Sequence, residues 1–142
     1  MKKHGKIKII ILALVVVLIL AYFLLPVKAI PKDYSSVIVQ LVEINGHEVV
    51  ITENQSEQIL EVLKRYTVHG TLKRADREVH VPEIYIVLSF NNTNGVVFNT
   101  RGINLSSEHQ YVSTGSIPFM YKSVYNGESM YEEIRDILLP GD

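Results

Sequence analysis

The chain of 142 residues contains no cysteine and no tryptophan. Without cysteine it cannot form a disulfide framework, a thiolate zinc site, a thiol nucleophile or a lipidated cysteine anchor. Acidic residues are absent from positions 1–29, and positions 9–25 carry no charge of either sign. This last absence is the strongest signal in the chain, because a long uncharged apolar run is typical of a membrane span.

The apolar run Ile9–Leu25 is seventeen residues long and follows lysines at positions 2, 3, 6 and 8. As a helix it spans roughly 26 Å, near the lower limit for crossing a bilayer. Lysine-rich flanks stay on the cytoplasmic side, so we expect the head inside and the remainder outside. The sequence therefore predicts a single-pass protein of the cell membrane, held by residues 9–25.

A cleaved signal sequence is the alternative to a retained anchor. Val27 and Ala29 have the spacing of a signal-peptidase site, and cleavage after Ala29 would release a secreted protein. The apolar stretch of a cleaved signal is about 7–15 residues long, which is shorter than the run here. We therefore expect the anchor to be retained.

The charge of the chain is divided between its two parts. Residues 1–29 carry five lysines and no acid, a net +5, whereas residues 30–142 carry nine Lys and Arg against fifteen acids, a net −6. An acidic domain lacks the clustered cations that bind phosphates, so we expect no nucleic-acid partner. We divide the chain into a basic head (1–8), a transmembrane helix (9–25), a short tether (26–34) and an extracytoplasmic domain (35–142).

The first half of the domain has clear local signals. The β-branched stretch Ser35–Ile44 predicts a strand, and Asn45-Gly46 after it is a strong hairpin signal that predicts a partner strand over 47–52. Thr52 with Gln55 has the capping-box spacing, and apolar residues at helical spacing predict a helix to Tyr66.

The second half predicts more strands and a final helix. Ile84, Ile86, Leu88 and Phe90 alternate along a strand at Glu83–Phe90, after which a turn over 91–95 leads to a strand over 96–100. We expect a turn at Arg101-Gly102, a strand over 110–113 and a strand or loop over 119–125. Ser129 and Glu132 predict a capping box for the last helix. The order indicates an α+β fold, in which an N-terminal transmembrane helix precedes an antiparallel sheet with two helices packed on one face.

Histidines raise the question of a metal site. His69, His80 and His109, together with Glu78, could form the ligands of a metal-dependent hydrolase. Zinc needs three or four converging ligands, and the H-E-x-x-H spacing is absent. Exposed histidines of strands and loops explain the pattern more simply, so we expect no metal and no other cofactor.

Catalysis by a nucleophile has no support in the sequence. Neither a G-x-S-x-G elbow nor an S-x-x-K pair occurs, so we expect a protein that is not an enzyme and assign no catalytic residue. Four tyrosines in the C-terminal third, which are Tyr111, Tyr121, Tyr125 and Tyr131, could instead form a binding face. Packing at the margins of a sheet is the alternative explanation for them.

The basic head, the Ile9–Leu25 anchor, the cysteine-free acidic domain and the Asn45-Gly46 hairpin followed by the Thr52–Tyr66 helix occur in that order. This layout resembles small membrane-anchored proteins of Gram-positive bacteria that carry one uncharacterised extracytoplasmic α+β domain. The resemblance implies no particular activity and transfers no site residue. We expect a non-enzymatic binding or accessory module for a protein, a peptide or an envelope component. An inhibitor or immunity-type protein of the cell envelope is a further alternative.

Overall fold

The computed structural model describes residues 2–30, 36–71, 82–91, 97–113 and 121–141. The described chain contains three helices, α1 (Lys2–Leu24), α2 (Glu53–Arg65) and α3 (Gly127–Leu138). It also contains eight strands, which are β1 (Val27–Lys28), β2 (Ser36–Ile44), β3 (His47–Glu48), β4 (Thr67–Gly70), β5 (Ile84–Asn91), β6 (Val97–Leu105), β7 (Gln110–Ser113) and β8 (Tyr121–Val124). The predicted α+β class is confirmed.

The described strands form one antiparallel sheet in the order β1-β4-β8-β7-β6-β5-β2-β3. The predicted hairpin is confirmed, since β2 leads into β3 through Asn45 and Gly46, whose φ angles are 50° and 77°. Asn and Gly tolerate this left-handed region better than other residues. The strand β3 is shorter than the predicted 47–52, because the chain leaves the sheet to begin α2 after Thr52.

The core lies between one face of the sheet and the helices α2 and α3. The alternation predicted for β5 is confirmed, because its four core-facing side chains are fully buried. The helices bury Ile59, Leu63, Met130 and Ile134 against them. At about 25 cal/mol per Å² of apolar surface removed from water, this burial is the main stabilising contribution to a domain without disulfides.

The start of α2 has the predicted capping box. Thr52 Oγ1 accepts a hydrogen bond from the Gln55 N–H at 3.2 Å, and Gln55 Oε1 accepts one from the Thr52 N–H at 3.0 Å. Both donors would otherwise be unpaired at a helix N-terminus. The capping pair therefore determines where α2 begins.

The start of α3 differs from the prediction, and the Ser129–Glu132 capping box is wrong. The helix begins at Gly127, and its N-cap Asn126 is left-handed (φ 52°) without a side-chain capping bond. A Cβ at Gly127 would lie 2.4 Å from Gln110 Oε1. Because glycine has no Cβ, the first turn can pack on β7 three residues earlier than the capping pattern indicates.

The turn predicted at Arg101-Gly102 is also wrong, because β6 runs through both residues and pairs with β5 on either side of them. A Cβ at Gly102 would lie 2.8 Å from the Tyr85 hydroxyl and 3.2 Å from Ser113 Oγ. Glycine within a strand often marks such a close approach rather than a turn. The same Ser113 Oγ accepts a hydrogen bond from the Gly102 N–H at 2.8 Å.

The residues that follow α1 are part of the folded domain, although they lie in the segment that the sequence assigns to a tether. Val27 and Lys28 form β1, which pairs with Val68 and Thr67 of β4. Ala29 and Ile30 are only 2% and 8% exposed. The chain therefore enters the core within six residues of the end of α1.

Ala29 is held by hydrogen bonds on both of its peptide groups. Its N–H donates to the carbonyl of Tyr66 at 3.2 Å, and its carbonyl accepts from Arg101 Nη1 at 3.2 Å. The Arg101 guanidinium also lies 5.3 Å from the centre of the Phe90 ring. The junction between anchor and domain is thus tied to the middle of the sheet.

The last turns of α1 contact the sheet directly. A Cβ at Gly70 of β4 would lie 2.4 Å from the ring of Tyr22, so only glycine allows this approach. Lys122 of β8 places its ammonium 5.7 Å from the centre of the same ring.

The remaining apolar side chains of α1 up to Leu20 are exposed. The stretch Gly5–Leu24 is long and apolar enough to cross a membrane, judged by length and composition.

Two tyrosine–carboxylate pairs join the helices to the rest of the core. The Tyr131 hydroxyl donates to Glu83 beside β5, and the Tyr66 hydroxyl donates to Glu133 Oε1 of α3 at 2.7 Å. Burial and the neighbouring carboxylates raise the pKa of both tyrosines to about 12. The same hydrogen bonds lower the pKa of Glu83 and Glu133 below 4.5.

We expect the stability of the domain to fall as the pH rises from about 10 to 12. Tyr66 and Tyr131 bind their protons more tightly when folded, so their contribution is complete below pH 10 and is lost on ionisation near 12. Thermal melting as a function of pH measures this. The double variant Tyr66→Phe/Tyr131→Phe should lose the part of the alkaline transition that these two groups cause. An unchanged alkaline transition in the double variant would contradict the assignment.

Candidate functional site

The face of the sheet opposite α2 and α3, called here the outer face, carries a cluster of rings. Ser123 of β8 is paired with Tyr111 of β7 and with His69 of β4. Paired residues of antiparallel strands share a face, so these three side chains form one row. Tyr125 follows β8 and His109 precedes β7, so both residues lie on the same side of this row. We call His69, His109, Tyr111, Ser123 and Tyr125 the aromatic patch.

The rings of the aromatic patch are in contact in two pairs. The rings of His69 and Tyr125 have centroids 4.4 Å apart and are tilted by 44°. Those of His109 and Tyr111 are 5.8 Å apart and nearly parallel at 29°. The Tyr125 N–H donates to the carbonyl of Thr67 at 2.9 Å, which holds the backbone of this residue against β4. Three of the five residues of the patch therefore lie on strands, and Tyr125 is held beside β4 by its backbone.

The aromatic patch combines surface rings with groups that can form hydrogen bonds. Tyr125 and His109 are exposed, whereas the other three side chains are half-buried. Tyrosine offers a rigid apolar ring with a polar tip, and histidine and serine add hydrogen-bonding groups. His69 Nδ1 lies 3.0 Å from the carbonyl of Gly70, which orients its ring. Such a surface can stack on a flat or sugar-like group and pair with its polar edge.

The row continues across the centre of the sheet. Tyr111 is paired with Asn104, Asn104 with Tyr85, and Tyr85 with Glu43 of β2. All of these side chains are half-buried on the outer face. A polar and aromatic strip therefore extends from β4 to β2, and the aromatic patch is its ring-rich end.

The four predicted tyrosines do not share one surface. Tyr111 and Tyr125 belong to the aromatic patch, and Tyr121 begins β8 opposite Ser113. Tyr131 lies on α3 within the core, where it is 5% exposed and bound to Glu83. The Tyr131 side chain is therefore part of the packed core and is not available to a ligand at the surface.

The candidate metal ligands are only partly described. His69 and His109 lie on the outer face, and His80 and Glu78 are outside the described residues. Among the residues that the structure describes, no group of three His, Asp or Glu side chains is placed to hold a metal ion.

A groove of about 800 Å³ lies between α2 and α3 on the other side of the sheet. Its rim carries the carboxylates Glu57, Glu61, Glu133 and Asp136. Glu133 binds Arg65 and Tyr66, and Glu61 binds Lys64 at 2.7 Å, so half of this charge already stabilises the fold. The aromatic patch offers more groups that can orient a ligand.

Sequence reasoning missed both histidines of the aromatic patch as partners of the tyrosines. The missing information was the pairing of β4 with β8, which places His69 beside Tyr125. Thr67–Gly70 is too short for its alternation to be recognised, and its partner β8 is more than fifty residues away.

Comparison with protein-family models, with curated proteins and with solved structures found no match.

Proposed function

We propose that this protein is a non-enzymatic binding module, held at the outer surface of the cell membrane by α1, that binds its ligand through the aromatic patch. The observation that carries the proposal is the contact of two histidine–tyrosine pairs in one row on the face that the helices leave open. The ligand classes that suit such a surface are a protein, a peptide or a component of the cell envelope.

The external position is supported by charge. Lys2, Lys3, Lys6 and Lys8 precede the span, while all fifteen acids follow it. Basic residues next to a span remain in the cytoplasm, so this distribution of charge favours an acidic domain outside the cell. A domain without cysteine is indifferent to the oxidising conditions found there.

A retained anchor is supported by the junction. Cleavage after Ala29 would cut a peptide group whose carbonyl binds Arg101 and would remove β1 from the sheet. The domain that remained would lack the edge strand β1 and the buried residue Ala29. The folded domain is therefore complete only in the chain that keeps residues 27–29.

The variant Tyr111→Ala/Tyr125→Ala should lose ligand binding while the domain stays folded. A tyrosine that acts as a hot spot contributes about 2 kcal/mol, a factor of about thirty, and losses at hot spots do not simply add, so we expect the double variant to bind at least about thirtyfold more weakly. The measurement is photo-crosslinking in intact cells, with a photoreactive amino acid at position 109, beside Tyr111. Crosslinked adducts are compared between the parent chain and the double variant.

A photoreactive residue at Glu57 on α2 provides the matched control, because this side chain is exposed and faces away from the outer face. Adducts that form at position 109, disappear in the double variant and never form at position 57 would support the proposal. Equal adducts at both positions, or adducts that persist in a folded double variant, would remove the aromatic patch as the binding surface.

An inhibitor or immunity-type protein would use the same surface. The two functions differ in the identity of the crosslinked species, because an exported toxin or enzyme would indicate protection of the cell. A structural envelope component would indicate an accessory role. The crosslinking experiment therefore distinguishes them without a second set of variants.

A further inference from the structure

The strand β2 is nine residues long, but β3, its neighbour at the edge of the sheet, covers only one end of it. β3 pairs with Glu43 and Ile44, and the Val49 N–H donates to the Val42 carbonyl at 2.9 Å. Beyond that point the chain leaves the sheet. Among the described residues, Ser36–Leu41 is paired only with β5, on its other side.

The sequence of this uncovered edge lacks two of the usual protections, charge and proline. Ser36–Leu41 reads Ser-Val-Ile-Val-Gln-Leu and contains no charge and no proline, the residues by which soluble proteins block an open edge. The register shift between Val39 and Leu41 is its one irregular feature. Six residues form an edge about 20 Å long, which is enough for a short peptide strand.

Exposed apolar side chains mark the same edge. Ile38 is 48% exposed on the outer face, and Val50 is fully exposed where the chain turns away from the sheet. Val37 and Val39 are half-buried on the opposite side of the strand. In the described part of the domain that follows β1, the other large apolar side chain with comparable exposure is Tyr125.

Charge at the end of the edge indicates the character of the partner. Glu43 and Glu48 stand directly opposite each other, an arrangement that destabilises a strand pair. The described residues place no cation in an ion pair with either of them. A strand that continued the line of β3 would begin beside Glu48, so a basic residue at its N-terminus would relieve this repulsion.

We propose that the open edge of β2 binds an extended peptide segment of a partner protein by strand addition, in line with β3 and antiparallel to β2. The segment has apolar or β-branched residues on both of its faces, which contact Ile38 on one face and Val37 and Val39 on the other, preceded by one or two basic residues. Main-chain hydrogen bonds to Ser36–Leu41 provide affinity, and the alternate side chains provide selectivity. The edge is separate from the aromatic patch and does not depend on its function.

A partner peptide fits this edge better than a second copy of the chain. Stable dimers bury at least about 1,000 Å² in total, and a pair of six-residue edges buries much less than this. The matching edge of a second copy would also bring no basic residue to Glu43 and Glu48, because Ser36–Leu41 carries no charge. A basic, extended peptide meets neither obstacle.

The experiment uses the full chain in nanodiscs and a labelled octapeptide with blocked ends, in which two lysines precede alternating valine and threonine. We expect saturable binding, and slower hydrogen exchange confined to those amides of Ser36–Leu41 that point away from β5. The variant Ile38→Lys places a charge on the edge and should weaken binding at least about tenfold. The variant Ile38→Thr keeps a β-branched side chain and should bind within about threefold of the parent chain.

A control peptide with two central prolines cannot donate the main-chain hydrogen bonds and should not bind. Three results would overturn the proposal. The exchange of the amides that point away from β5 could be unchanged by the octapeptide, these same amides could already be protected in the free monomer, or Ile38→Lys could bind as tightly as the parent. Dimerisation of the chain that the octapeptide does not reverse would assign the edge to a second copy instead.

Discussion

A chain that begins at Ile30 is expected to be less stable than one that begins at Pro26 by about 3–4 kcal/mol. Both chains lack the apolar helix α1, so the difference between them reports only on residues 26–29. The loss would be a large part of the 5–15 kcal/mol that stabilises a typical domain.

The physical reason is the environment of Ala29. Removing it eliminates its N–H bond to Tyr66, its carbonyl bond to Arg101 and the pairing of β1 with β4. The new N-terminus would also place an ammonium group on Ile30, which is almost fully buried, close to the Arg101 guanidinium. A positive charge without a counter-ion in such a place is costly.

Denaturant unfolding of the two chains, followed by circular dichroism, measures the difference. The third chain of the set begins at Lys28 and keeps Ala29, and its stability should lie close to that of the chain from Pro26. Equal stability of the chains from Pro26 and Ile30 would mean that the junction does not contribute to the fold. The structural argument for a retained anchor would then be lost.

The variant Phe90→Ala should destabilise the domain by about 3–5 kcal/mol. Phe90 is fully buried at the end of β5, and its ring contacts the Arg101 guanidinium. Its removal leaves a cavity and deprives a half-buried cation of its aromatic partner, an interaction of about 0.5–2 kcal/mol. The expected loss is therefore among the largest that one substitution in this core can cause.

Urea unfolding of the full chain in nanodiscs, followed by tyrosine fluorescence, measures the effect of Phe90→Ala. The matched control is Val50→Ala, which removes a fully exposed apolar side chain and should change stability by less than about 0.5 kcal/mol. A loss below about 1.5 kcal/mol for Phe90→Ala would show that the surrounding side chains close the cavity, and that this end of the core is loosely packed.

Local signals in the sequence predicted much of the fold. Asn45-Gly46 predicts its hairpin because few residues accept the left-handed backbone, and Thr52 with Gln55 predicts the start of α2 because it pairs two free donors. The alternation of β5 predicts its buried face. In each case the physical cause lies within a few residues of the signal.

The errors arise where distant residues determine the conformation. Gly102 is typical of a turn, yet it continues β6 because Tyr85 lies over it. Gly127 begins α3 ahead of the predicted cap because it packs on Gln110. Val27–Lys28 forms a strand only because β4 is beside it. Patterns within a short window contain no information about such neighbours.

The candidate site was predictable only in part. The concentration of tyrosines in the C-terminal third is visible in the sequence, but their surroundings are not. Tyr131 and Tyr125 are six residues apart, yet one is bound to Glu83 in the core and the other contacts His69 on the outer face. The pairing of β8 with β4 and β7 brings Tyr125 beside His69 on the outer face, whereas Tyr131 lies on α3 on the other side of the sheet.

The most direct test of the account is the intact mass and protease accessibility of the native protein in fractionated cells. The account predicts a full-length species in the membrane fraction, with a domain that added protease digests from outside the cell. A species that begins at Ile30 in the medium would contradict the retained anchor. A full-length species protected from external protease would contradict the external position of the domain.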